Sequence, residues 1–168
     1  MAPFQILPVE NTQWDRDQVA KTLITAMYPD AYYRAIYPSL SLEDLIRYAS
    51  LRLGANFQNP KAWFLKVVES SAEGSASAGR DIISYARYLL PPSVLAKLEK
   101  EFPKRELDEE EKERYERDAE EGSDAEGMPR GINAALLDVV GPVMAEAREA
   151  FHVGGREGMS EFFFLYPS

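Results

Sequence analysis

The chain has 168 residues with a net charge of −9, of which 45% are hydrophobic and 11% aromatic, enough apolar material for one buried core and too much for wholesale disorder. It has no cysteine, which excludes disulfides, Cys-ligated zinc, iron–sulfur clusters and thiol nucleophiles. The acidity is local: residues 101–126 hold 13 acidic and 5 basic side chains, leaving 15 acidic and 14 basic for the rest. With no clustered basic face to neutralise phosphates, nucleic acid is not an expected partner. Nothing approaches the roughly 18 uninterrupted apolar residues of a membrane span. The opening "MAPFQILPVENTQW" lacks a basic leader with an apolar core, so the expected setting is the cytoplasm, without a membrane partner.

Phe4 to Val9 ("FQILPV") predicts a first strand, with Pro8 near its end where a missing amide is tolerated. Asn11 or Thr12 can then cap a helix whose apolar positions Val19, Ala20, Leu23, Ile24 and Met27 share one face, with Pro29 and Asp30 breaking it. A tyrosine-dense stretch, "YPDAYYRAIYPS", precedes a second helix in "SLEDLIRYASLRL". Ser41 and Asp44 there have capping-box spacing, and Leu42, Ile46, Ala49 and Leu53 line a face. Gly54 through Pro60 is expected to end that helix.

"WFLKVVE" (63–69) and "DIISYARYLL" (81–90) are rich in aromatic and β-branched residues and predict two strands. The small-residue run between them predicts a flexible loop at 70–80. "PPSVLAKLEKEFP" suits a short helix. The acidic insert at about 100–128 has almost no apolar stripe, so it is expected to be a solvated helix or disorder. It lacks the ligand spacing and central glycine of a calcium loop, and no metal site is expected. Ile132, Leu136, Val139, Val143, Ala147 and Phe151 recur at helical spacing, with Gly141 and Pro142 predicting a kink or two short helices. "EFFFLYPS" (161–168) has the composition of a closing strand.

Motifs that carry chemistry are sparse. His152 is the only histidine and, beside a Gly-rich turn, suits a helix end better than a general base or a ligand. "VGGREG" lacks the Lys and Ser/Thr of a phosphate loop and precedes a strand where that loop would open a helix. Tyr28, Tyr32, Tyr33 and Tyr37 have two readings, as core packing on a sheet or as an aromatic substrate surface.

Several phrases carry a resemblance. "FQILPVEN" looks like the first strand of the GNAT family of acyl-CoA-dependent N-acetyltransferases. "YYRAIYPSLSLEDLIRYASLRL" is similar to the helix-two region of a fungal-type branch of it, and "AWFLKVVES…IISYARYLLPP" resembles that branch's hairpin of strands two and three. The resemblance covers the N-terminal half of the family domain. It implies an α+β fold, an incomplete GNAT-like mixed sheet of about four strands with helices packed on it, in a single partial domain spanning 1–168. "EFFFLYPS" would begin strand four. The family's [RQ]-x-x-G-x-[GA] loop, which holds the acetyl-CoA pyrophosphate on backbone amides, does not occur in the sequence.

The resemblance thus implies transfer of an acetyl group from acetyl-CoA to a small-molecule or peptide amine. The chain is expected to stop before the pyrophosphate loop and to be inactive, without acetyl-CoA, on its own. Tyr32 and Tyr33 become candidate acceptor-binding residues and Glu161 a candidate catalytic carboxylate. The strand-four backbone near Leu165 and Tyr166 becomes the candidate cofactor contact, and the exposed edge of strand four a place for self-association. The alternative is a non-enzymatic α+β interaction module whose acidic insert meets a basic partner.

Overall fold

The computed structural model describes residues 4–69 and 81–153, with side chains described as far as Glu146 except for Met144. Three strands and six helices follow in chain order. They are β1 (Phe4–Pro8), α1 (Gln13–Met27), α2 (Ala31–Ile36), α3 (Leu42–Phe57), β2 (Ala62–Glu69), β3 (Ile82–Leu89), α4 (Pro92–Glu101), α5 (Glu109–Glu121) and α6 (Ala134–Val153). The class is α+β. The strands form one antiparallel sheet in the order β1-β2-β3, with Ile6 opposite Val67 and Lys66 opposite Tyr85. A bulge between Val67 and Val68 shifts the register near the end of the β2–β3 ladder. The closing strand expected at 161–168 and the loop expected at 70–80 lie outside the described residues.

Period-two alternation decides what each face of β2 does. Ala62, Phe64, Lys66 and Val68 point toward the helices, and all four are buried. Three of them belong there by chemistry: with Val19 and Ala20 of α1, Leu53 and Phe57 of α3, and Ile82 of β3, they form the main core. The Thr22 hydroxyl donates to the Ile82 carbonyl at 2.6 Å and pins α1 to β3. The fourth, Lys66, is an ammonium in the same row, and it shapes the site below.

The helix starts follow their capping chemistry. Of the two cap candidates, Thr12 is the one used: its Oγ1 accepts from the Asp15 amide at 3.1 Å. Asp30 breaks the first helix as expected, but it also caps a short helix that periodicity alone does not reveal. It accepts from the Tyr32 and Tyr33 amides at 2.7 and 3.1 Å and starts α2. The Ser41 oxygen accepts from the Asp44 amide at 3.1 Å, opening α3. α2 carries Tyr33 and Ile36 into a second core with Ile24, Tyr37 and Leu45.

α3 ends at Phe57, inside the 54–60 stretch expected to end it. Gly54 lies where two neighbours close in: a Cβ there would stand 2.7 Å from Arg16 Nη1 and 3.0 Å from Tyr115. Of the kink or two short helices expected at Gly141 and Pro142, the second is not what forms: α6 runs continuously from Ala134 to Val153. Pro142 removes one hydrogen bond, and the flanking Val139 and Val143 are 72% and 64% exposed, so water can serve the freed carbonyl. Of the two alternatives expected for the acidic insert, the solvated helix is the one that forms, as α5, with one residue of one face docked. Asp108 caps α5 by accepting from the Glu111 amide at 2.8 Å, and Tyr115 is driven into the body against α3, 2% exposed. One aromatic among thirteen mostly charged residues suffices to fix the docked face.

Candidate functional site

The turn from β1 into α1 gathers a polar centre that most of the core lacks. Lys66 is 1% exposed and Asp15 0%. Lys66 Nζ donates to Asp15 Oδ1 at 2.7 Å and lies 3.5 Å from Glu10 Oε2, whose side chain is 58% exposed. Asp15 Oδ2 accepts from the Glu10 amide at 2.7 Å. The Asp15 carboxylate thus reaches back beyond the cap residue, binding the chain before the helix and the sheet behind it at once. Two carboxylates share one ammonium, and only Glu10 reaches solvent.

Asn11 makes this turn possible. Its φ is +55°, a left-handed conformation that Asn tolerates better than most residues. Its Nδ2 donates to the Gly54 carbonyl at 3.2 Å, and its own carbonyl accepts from the Tyr115 hydroxyl at 3.1 Å. Its Oδ1 is buried with no hydrogen-bond partner among the described residues. In the first turn of α1, next to Asp15, Arg16 is 1% exposed. Its guanidinium carbon lies 4.1 Å from the Tyr115 ring centroid and one Nη donates to Gln13, while Nε and Nη1 have no partner among the described residues.

A cavity of about 560 Å³ opens against this turn. One wall is residues 7–12, the facing wall is residues 101–105 between α4 and α5, and the floor is formed by Phe57, Gln58, Trp63 and Phe64. The volume is in the range of small-molecule sites, roughly 300–1,000 Å³. The facing wall carries two cations, each held by a nearby acid. Lys104 lies 3.2 Å from Glu99 and donates to the Ala62 carbonyl at 3.4 Å, with its ammonium 5.7 Å from the Trp63 ring centroid. Arg105 lies 2.6 Å from Glu111.

The residues singled out from sequence fall elsewhere. Tyr33 is buried in the second core, its ring centroid 5.1 Å from that of Tyr37, and Tyr32 is half-buried beside it. Burial pushes the Tyr33 phenol well above its ordinary value, with Tyr37 adding to the rise. Glu161, Leu165 and Tyr166 lie outside the described residues. Neither Tyr32 nor Tyr33 lines the cavity. Among the described residues no three His, Asp or Glu side chains are grouped to hold a metal ion, and no helix is long and apolar enough to cross a membrane. Comparison with protein-family models, with curated proteins and with solved structures gives no match to the chain.

The polar centre left one signal in the sequence. In "WFLKVVE" Lys66 stands in phase with Phe64 and Val68, the residues that bury, so alternation alone demands a carboxylate opposite it. Which carboxylate answers is a tertiary fact, 51 residues away in the chain.

Proposed function

We infer that the chain carries the acceptor-side portion of an acyl-CoA-dependent N-acetyltransferase domain, whose activity is transfer of an acetyl group to an amine. The observation that supports this reading is topological. A first strand is followed by helices and then by a β2–β3 hairpin that adds to it in the antiparallel order β1-β2-β3, the arrangement the sequence resemblance calls for. The acidic segment follows the hairpin, again as in that resemblance.

The described residues do not fit the acetyl-CoA pyrophosphate. That group needs backbone amides left free at a helix start. Thr12, Asp30, Ser41 and Asp108 close the starts of α1, α2, α3 and α5 with their own side chains, and α5 opens on Glu109, Glu110 and Glu111, which repel an anion. At the start of α6, Asn133 Oδ1 accepts from the Leu136 amide. α4 has no side-chain cap, but Pro91 and Pro92 have no amide hydrogen and the Val94 and Leu95 amides donate to the Pro91 carbonyl. No catalytic step is therefore assigned to these residues.

Two measurements test the reading. Backbone NMR of the whole chain is expected to show residues 161–166 paired antiparallel with β3 on the side away from β2; pairing with β1, or no strand, overturns the family reading. Calorimetric titration with acetyl-CoA is expected to show no micromolar binding, and micromolar binding would overturn the assignment to the acceptor side alone.

A further inference from the structure

We propose that the cavity between the β1–α1 turn and the 101–105 strap binds an amino-acid-like zwitterion: an ammonium and a carboxylate on an apolar or aromatic body. The proposal stands apart from acetyl transfer, since it uses only the charges and walls of this cavity. The two walls come from different parts of the chain and differ in kind. On the turn, the free hydrogen-bonding capacity is acceptor capacity: the Glu10 carboxylate, which shares Lys66 with Asp15, and Asn11 Oδ1, 95% of whose residue is buried and which has no donor among the described residues. Arg16 does not line the cavity; it lies against Tyr115. On the strap, Lys104 and Arg105 supply donors, two cations against the one carboxylate of Glu101.

Each wall excludes one singly charged ligand. A simple carboxylate reaching the strap would bring its charge toward Glu10, and a simple ammonium seated on Glu10 would face Lys104 and Arg105. A zwitterion presents each wall with its complement. The two strap cations are held differently: Lys104 and Glu99 have side chains 34% and 44% exposed, whereas Arg105 pairs with Glu111, whose side chain is only 17% exposed, so Lys104 is the cation a ligand reaches. A pair like Lys104–Glu99 is weak in water, so a ligand carboxylate can compete for it. Between the walls, the aromatic floor of Phe57, Trp63 and Phe64 takes an apolar side chain. The Lys104 ammonium already lies over the Trp63 ring, so the floor sits next to a charge that the carboxylate of such a ligand would meet.

The experiment is calorimetry and thermal unfolding of the whole chain with three probes of one body: L-phenylalanine, 2-phenylethylamine and 3-phenylpropionate. L-phenylalanine is expected to bind at least about tenfold tighter than either analogue and to raise Tm by mass action at about 10 mM. Glu10→Gln is expected to weaken L-phenylalanine and 2-phenylethylamine roughly fivefold or more and leave 3-phenylpropionate unchanged; Lys104→Met is expected to do the converse. Both positions reach solvent, and each variant's unliganded Tm reports its folding. No Tm shift with L-phenylalanine, equal binding of a singly charged analogue, or affinities indifferent to both substitutions in folded protein would overturn the proposal.

Discussion

Removing either member of the Lys66–Asp15 pair should be among the most damaging single changes in the chain. The two side chains are 2% and 1% exposed and meet at 2.7 Å, so neither charge can turn to water when its partner is lost. Deleting one partner of such a pair costs about 3–5 kcal/mol, most of it the desolvation of the charge left behind. Asp15→Asn should fall at the upper end, because Asp15 also accepts the Glu10 amide and sits in the first turn of α1. Lys66→Met keeps that amide contact and leaves Glu10 free to face solvent. The double variant Asp15→Leu, Lys66→Met removes both charges and should lose less than either single variant predicts, since buried pairs exchanged for apolar groups of similar size are often near neutral. Urea unfolding followed by far-UV circular dichroism gives the midpoints. Arg47→Ala is the control: its pair with Glu121 is 61% and 52% exposed and should contribute at most about 1 kcal/mol. Single-variant losses under about 1 kcal/mol, or losses that simply add in the double variant, would refute the reasoning.

Two other outcomes are expected. Tyr115→Phe should lose about 1 kcal/mol through the Asn11 carbonyl it leaves without its donor, and Tyr115→Ala about 3–5 kcal/mol with release of α5; rapid amide exchange across 109–121 in Tyr115→Ala alone is the check. The raised Tyr33 pKa makes stability alkali-sensitive with a definite sign: the unfolded phenol ionises near 10.0 while the folded one stays protonated. This contribution is complete below pH 10 and is lost above it at about 1.4 kcal/mol per pH unit, so Tyr33→Phe should flatten the fall in Tm between pH 10 and 11, and an unchanged slope would count against it.

The parts of the fold legible in sequence were those in which one local rule suffices. Thr12 and Ser41 are side chains of the right type at helix starts, and the three strands follow from β-branched and aromatic runs. α2 was illegible because six residues are too few for a periodicity, and its identity rests on a single cap. The meeting of Gly54 and Tyr115 was illegible for another reason. Composition marks a glycine near a helix end and a charged segment as solvated, but it does not show that the two form one contact with Arg16 beside them. The cavity was invisible for the same reason: its walls, residues 7–12 and 101–105, lie some ninety residues apart, and neither has a motif of its own.

That contact also gives the insert a structural role. Arg16 is buried with two nitrogen donors unpaired and no carboxylate within salt-bridge distance among the described residues, an arrangement that desolvation alone would make expensive. What faces it is the Tyr115 ring, whose negative face attracts the guanidinium at 4.1 Å. Behind that ring runs a helix from a segment of 13 acids and 5 bases. The carboxylates of α5 are mostly exposed, and charges in water are screened. What docks the helix is Tyr115, whose ring meets Arg16 and Gly54 and whose hydroxyl donates to the Asn11 carbonyl at 3.1 Å. The apolar contact fixes α5, and the acids keep its outer face wet.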